Sequence, residues 1–510
     1  TLANIKNLPK IDNMRKLILP LILLYTVLFS CESETANPAD NEEVPIESDC
    51  KEIIPSIWVK GDGSISNPYQ IESAEHLFYL AQQVNDTLSV SINDYTSKYF
   101  KLVSDINLSC KSWTPIGGLK TDYIFNGHFD GNNKSISNIV IDYPEKNYVG
   151  FFGIIGYNSS IKNLLLEGDV NGYDFVGGIV GTSLSKSITN SSFTGNVIGN
   201  DNVGGLLGYE TSNGVKIENC SFNGIIKGNE KVGGVVGRSV RNTLENCSAN
   251  LTSLNGNFEV GGITGYSSGD MIKNCFSLGD IGGENMVGGV TGWAEFSTNF
   301  EDSNFNGSLS GKTKIGGIVG YLSGDSKISK CYNKGIIETS GVEVGGIVGS
   351  LYNGTVELSY NIGNISGIAR CGGIVGRCDA LNNKISYIEN CYNIGSINCN
   401  SLAAGIVGGA GIADIKYCYN IGLVPNTSRR ISDNDNIVVY DYDGFSTTVN
   451  VTACYFLEGD YQFSTDGISK SISEMKSSTF INQLNGAANI LWKSDISPNI
   501  NSGFPILNWQ

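Results

Sequence analysis

The chain has 510 residues, 64 of them glycine, and a formal net charge of −16. That charge disfavours nucleic acid and anionic membrane surfaces as partners, and no basic cluster is longer than Arg429-Arg430. Only two histidines, His76 and His128, are present, so Ser-His-Asp or Cys-His catalysis has almost no raw material.

Residues 1–13 precede a better start at Met14 and read as a non-native extension. Met14-Arg15-Lys16 and the apolar run to Cys31 then form a secretion signal, with a basic start and a hydrophobic stretch too short to cross a bilayer as a stable helix. Leu28-Phe29-Ser30-Cys31 resembles the lipobox of bacterial lipoproteins. That resemblance implies that the Cys31 thiol carries diacylglycerol and that a lipid bilayer is a partner; a short uncleaved anchor is the alternative. Cys31-Glu32-Ser33-Glu34 resembles the surface-export signal of Bacteroidetes lipoproteins, which implies the outer membrane and the cell surface. Residues 32–57, acidic and holding Pro38, Pro45 and Pro55, are expected to be a disordered tether.

Residues 58–148 read as an N-terminal cap with lead-in coils. Within them, 73–85 is a predicted helix, with Ser73 as N-cap, His76 at N3, and Leu77, Leu80, Ala81 and Val84 at helical spacing. His128 is expected in a turn, and both histidines are read as structural.

From 149 to 424 a Gly-x-x-Gly signature recurs every 27 to 29 residues, with one 32-residue step at the end. Its first glycines are Gly150, Gly178, Gly205, Gly234, Gly262, Gly289, Gly317, Gly346, Gly373 and Gly405. A second landmark is a column of small residues: Ser191, Cys220, Cys247, Cys275, Ser303, Cys331, Ser359, Cys391 and Cys418. Several glycines per unit, each costing about 1 kcal/mol in a helix interior, rule out helical repeats. Short runs of Val, Ile, Tyr and Thr between Gly, Asn and Ser predict three brief strands per unit. Each unit can bury its apolar face only against its neighbours, so the predicted fold is all-β: a right-handed parallel β-helix of about ten coils, with strands about 4.8 Å apart. The glycines are expected to take positive φ at corners and to allow close backbone approach.

The segments VGGLLG at 203–208, WTPIGG at 113–118, FNGHFDG at 125–131 and GFPILNW at 503–509 resemble the bacterial GLUG-motif repeat family over roughly residues 58–510. The resemblance implies a right-handed β-helix on exported bacterial proteins, often of the Bacteroides type. The family also accompanies IgA-specific metallopeptidases, but no HExxH zinc signature occurs here.

Residues 425–510 read as an excursion followed by a C-terminal cap. The excursion contains a weak calcium candidate, Asp441 and Asp443, set against the reading of an exposed acidic loop. A helix is predicted at 473–485, capped by Ser473, with Met475, Phe480, Ile481 and Leu484 as its apolar contacts. Both helix-containing segments are expected to cover the open ends of the solenoid. The cysteine column is read as a ladder of free buried thiols, with covalent stapling of adjacent coils as the alternative. Asn333, Asn361, Asn393 and Asn420 are expected to form a structural amide ladder.

No cofactor and no catalytic residue is expected. Most outward positions read as Asn, Ser, Thr, Gly or Lys, with no repeated cluster of carboxylates and basic residues. The functional expectation is a lipid-anchored β-helix acting in adhesion or in binding a glycan or host surface protein. The alternative is a polysaccharide lyase or glycosidase on the same scaffold.

Overall fold

The computed structural model describes residues 52–86, 95–185, 187–210, 213–380, 384–424, 434–435, 437–440, 448–459, 466–486, 490–496 and 499–510. They form a parallel β-solenoid of about twelve turns. Its strands pair in parallel with their counterparts one turn away, the C-terminal segment adds an antiparallel pair of Trp492–Lys493 with Ile506–Leu507, and eleven turns contribute to the sheet that runs from Phe152–Ile155 to Val438–Tyr440.

A regular turn holds four strands rather than the expected three: Glu230–Gly233, Val236–Val240, Thr243–Glu245 and Ser248–Asn255. The extra break comes from a left-handed residue just before the small-residue column. Asn190, Asn219, Asn246 and Asn274 all sit there at φ of 49–55°. Asparagine tolerates this conformation better than most side chains, so it bends the strand at low cost. Its amide also links turns: Asn219 donates to Asn190 at 2.9 Å, and Asn246 donates to Asn219 at 3.0 Å.

The core is a set of stacked apolar columns. Ile217, Leu244, Ile272 and Phe300 stand in register and are fully buried, as are Val203, Val232, Val260 and Val287. Burying each such side chain is worth about 1.5–3 kcal/mol, so a turn with four or five of them offsets the entropic cost of its glycines.

Those glycines act by close approach. None of the ten first motif glycines has positive φ, which corrects the corner reading. A Cβ on Gly205 would lie 2.2 Å from the Gly234 carbonyl oxygen and 2.4 Å from the Phe222 ring. Positive φ falls instead on later glycines, such as Gly224 at 144°.

The small-residue column lies inside the bend, and it continues one turn further than expected, to Cys454. Cys220, Cys247, Cys275, Cys331, Cys391, Cys418 and Cys454 are buried and free. Each Sγ or serine Oγ reaches the carbonyl two residues back, as in Cys275 to Lys273 at 3.3 Å and Ser303 to Glu301 at 3.0 Å, so thiol and hydroxyl are interchangeable there. Burial lifts the Cys331 thiol to about 12, which keeps it protonated. Outside the column, Cys371 and Cys399 form a disulfide that joins adjacent turns with Cα atoms 6.1 Å apart.

The ends differ. Helix α1, Ala74–Asn85, packs His76, Leu77, Phe78, Leu80 and Ala81 into the same core as the first strands, with Phe78 5.0 Å from Trp113. Ser73 occupies the N-cap position without a capping hydrogen bond, and His76 Nδ1 instead accepts from the Glu72 backbone N–H at 3.2 Å. His128 begins the strand His128–Asp142 rather than a turn; its ring stacks on Tyr99 at 4.3 Å, and Nδ1 lies 2.9 Å from Ser160 Oγ.

The predicted C-terminal helix is two short ones, α2 (Ile472–Met475) and α3 (Ser478–Asn485). Ser471 and Glu474 form a capping box and Ser477 caps α3, so Ser473 is not the cap. Met475, Phe480 and Leu484 are buried as expected, but this segment lies along the flank of the solenoid. It covers a stack of Tyr332, Tyr360, Tyr392 and Tyr419, whose rings are 4.9–5.1 Å apart and within 6° of parallel.

A candidate ligand-binding face

The residue that follows the last glycine of each motif is a second column. Thr182, Tyr209, Arg238, Tyr266, Trp293, Tyr321, Ser350 and Arg377 stand in register, one per turn. Register fixes their spacing at that of hydrogen-bonded strands, about 4.8 Å. From Tyr209 to Tyr321 the side chains are half-buried. The Arg238 guanidinium lies between two rings, 5.0 Å from Tyr209 and 5.2 Å from Tyr266. Trp293 is 5.4 Å from Tyr266 with its plane turned by 88°, and 5.8 Å from Tyr321.

A flanking column leans against this one. Phe175, Asn202, Lys231, Glu259, Met286, Lys314 and Glu343 precede the motif in successive turns, each at φ of 55–59°. Bulky residues in the left-handed region cost about 1–2 kcal/mol apiece, and this conformation sets their side chains beside the aromatic column. Phe175 lies 5.7 Å from Tyr209, and the Lys314 ammonium lies 4.6 Å from the Tyr321 ring. Further along, the face closes on itself: Arg377 pairs with Glu343 at 3.3 Å and with Asp379 at 3.2 Å.

Polar demand is unmet in the aromatic stretch. Among the described residues, Asn202 Oδ1, Arg238 Nε and Trp293 Nε1 are buried without a hydrogen-bond partner. So is Glu259 Oε2, although it lies 3.5 Å from the Lys231 ammonium. Burial raises the Glu259 carboxyl above its ordinary value, with Lys231 opposing the rise. Tyr266, pushed up to about 12 by burial and by its hydrogen bond to Glu295, donates to Glu295 Oε1 at 2.6 Å. Unpaired buried polar atoms cost about 1–3 kcal/mol each, so this stretch is less fully satisfied than the rest of the column.

The expectation that outward positions are mostly Asn, Ser, Thr, Gly or Lys misses this column, whose signal is the Tyr, Arg or Trp directly after the last motif glycine in the turns from Gly208 to Gly320. The first motif glycines serve the backbone, as the close approach at Gly205 shows. Cys31, Asp441 and Asp443 lie outside the described residues. Among the described residues, no group of three His, Cys, Asp or Glu side chains could hold a metal ion, and no helix is long and apolar enough to cross a membrane.

Fold and face together define a parallel β-solenoid with an aromatic, mixed-charge strip along one sheet. No family model matches the chain. Over 120 residues it is 34% identical to a protein named "Putative Gly-rich membrane protein" from Evansella cellulosilytica, covering 22% of this chain and 12% of that protein. Over 133 residues it is 32% identical to "Halomucin" from Haloquadratum walsbyi, covering 24% of this chain and 1% of that protein. The matches thus span only a small part of both curated relatives. A crystal structure named for a "putative immunoglobulin A1 protease" from Bacteroides ovatus aligns over 89% of this chain and 96% of its own, at 18% identity and a TM-score of 0.32.

Proposed function

We propose that this is a cell-envelope β-solenoid of the GLUG-repeat type, lipid-anchored through Cys31 at the outer membrane, which binds glycans on the strip from Tyr209 to Tyr321. The observation that carries the reading is the aromatic column itself: half-buried rings repeated at strand spacing, with charged side chains of both signs beside them. Sugars match that chemistry, since their C–H faces stack on aromatic rings while their hydroxyls need donors and acceptors. The word "membrane" in the name of one relative supports the envelope location.

Binding is tested by retention on immobilised host and dietary glycans, comparing the native chain with Trp293→Ala. Loss of retention with an unchanged thermal transition supports the strip; equal retention by both places binding elsewhere. Product release during the same assay would move the protein to the carbohydrate-active enzymes. Lipid labelling of cells that carry Cys31→Ala tests the anchor: labelling should vanish, and persistence would remove the lipoprotein reading.

A further inference from the structure

The flanking column sets an amide, an amine and a carboxyl on three successive turns, in the order Asn202, Lys231, Glu259. Independently of the glycan-binding reading, we propose that these three form an isopeptide cross-link site, in which the Lys231 ε-nitrogen condenses with the Asn202 side-chain amide and ties two turns of the solenoid together covalently.

Placement is the first ground. Asn202 and Lys231 lie between the registered pairs Asp201–Glu230 and Val203–Val232, and Lys231 and Glu259 between Glu230–Phe258 and Val232–Val260. All three have φ of 55–56°, so their side chains leave equivalent backbone in the same direction, one turn or about 4.8 Å apart. The flexible four-carbon stem of lysine spans that gap to the Asn202 amide. The backbone beneath is closely packed: a Cβ on Gly237 would lie 2.7 Å from the Asn202 carbonyl carbon, and one on Gly265 would lie 2.4 Å from that of Lys231.

Surroundings are the second. Asn202 and Glu259 are buried, and among the described residues Asn202 Oδ1 has no hydrogen-bond partner. Lys231 Nζ lies 3.5 Å from Glu259 Oε2. Phe175, one turn before Asn202, packs 5.7 Å from Tyr209, and the Arg238 guanidinium fills the space between Tyr209 and Tyr266. Where water is scarce, a neutral amine beside a protonated carboxyl costs less than it does in solvent, and burial already raises the Glu259 carboxyl. Glu230 also reaches Nζ, at 3.3 Å, but its side chain is 40% exposed against 12% for Glu259, so Glu259 is the better proton acceptor.

The step is redox-neutral. Glu259 takes a proton from the Lys231 ammonium, and the neutral Nζ attacks Cγ of Asn202. The Cγ–Nζ bond forms and the Cγ–Nδ2 bond breaks; the proton lent to Glu259 and a second one from Nζ leave with Nδ2 as ammonium ion, and the last stays on the new amide. The column also holds its own control. Lys314 and Glu343 repeat the amine and carboxyl, but Met286 in the preceding turn offers no carbonyl, and Glu343 is held instead by Arg377 and Ser350.

The test is tandem mass spectrometry on tryptic digests of the purified, folded chain. Nearly all molecules should yield a branched peptide that joins Asn202 to Lys231, is lighter than its two parts by one ammonia and is uncut after Lys231, while cleavage after Lys314 proceeds normally. Glu259→Gln should abolish the branched peptide, and so should Lys231→Arg, which keeps the charge beside Glu259. Glu230→Gln should leave it in place. A cooperative thermal transition shows that each variant is folded. Separate peptides carrying Asn202 and Lys231 from the native chain would overturn the inference, whatever the variants do. A branched peptide that survives in Glu259→Gln, or that is lost from folded Glu230→Gln, would overturn the role given to Glu259.

Discussion

The solenoid carries two aromatic columns, and they are finished differently. In the Tyr332–Tyr419 stack the rings are parallel, and the chain's own C-terminal segment covers them. Polar atoms at this contact are paired: Trp492 Nε1 donates to Asn390 Oδ1 at 3.1 Å, Trp509 Nε1 to the Leu358 carbonyl at 3.0 Å, and Asn501 Nδ2 to the Tyr419 hydroxyl at 2.7 Å. In the Tyr209–Tyr321 column the rings are tilted against one another, interleaved with a cation and half-exposed, and buried polar atoms go without partners. Where the chain supplies the partner, geometry and hydrogen bonding are complete. The incomplete column is the one we propose takes a partner from outside.

The contrast can be broken at the covered column first. Trp492→Ala should cost about 3–5 kcal/mol, because it opens a cavity under a fully buried ring and strands the Asn390 amide oxygen. Chemical denaturation measures this; a loss below about 1 kcal/mol would mean that the covering segment contributes little.

Behind the open column, Asp270 is buried and accepts from the Asn242 N–H at 2.7 Å and the Ser267 hydroxyl at 2.5 Å. Burial lifts its carboxyl from 3.8 to about 6. The folded chain therefore holds this proton more tightly than the unfolded one. Its contribution to stability is fullest below about pH 4 and declines as pH rises through 6, by up to about 3 kcal/mol. Asp270→Asn should remove that slope from the stability profile between pH 4 and 7; an unchanged slope would assign it to other groups.

Two amide ladders sharpen the role of burial. Asn361 donates to Asn393 and Asn393 to Asn420, each at 2.8 Å, with all three side chains buried. Asn250 donates to Asn223 at 3.0 Å on the surface. Asn393→Ala should cost about 2 kcal/mol and Asn250→Ala no more than about 0.5. Equal losses on thermal unfolding would show that desolvation does not separate the ladders.

The smallest effect belongs to the thiol column. Cys247→Ser should be nearly silent, since serine occupies the equivalent place at 191, 303 and 359, whereas Cys247→Phe should cost about 1–3 kcal/mol through overpacking. Native Cys247 should also resist alkylation until the chain unfolds, as mass spectrometry can show.

Much of this architecture is legible in one dimension because a solenoid makes sequence period and spatial neighbour the same thing. Gly205 and Gly234 are one period apart, and in the fold the carbonyl of one lies where the Cβ of the other would be. The period alone therefore leads to parallel stacking, the buried small-residue column and the Asn333–Asn420 ladder. The fourth strand is not legible in this way, since it depends on a left-handed φ at Asn219 and its equivalents, and other turns place Asp302, Lys330 or Leu358 there. Nor is the Cys371–Cys399 disulfide: the two residues occupy different positions of their turns and meet only through the register of two strands.

The sequence by itself determined the repeat, the parallel all-β fold and the stacked interior, because each depends on contacts between residues a fixed interval apart. Tertiary structure alone decided where the C-terminal segment lies and which aromatic column stays open. Those contacts join residues more than a hundred positions apart, such as Trp492 and Asn390 or Trp509 and Leu358, with no period to announce them. Tyr266 and Trp293 stay half-buried among the described residues because the described C-terminal segment lies on the other column.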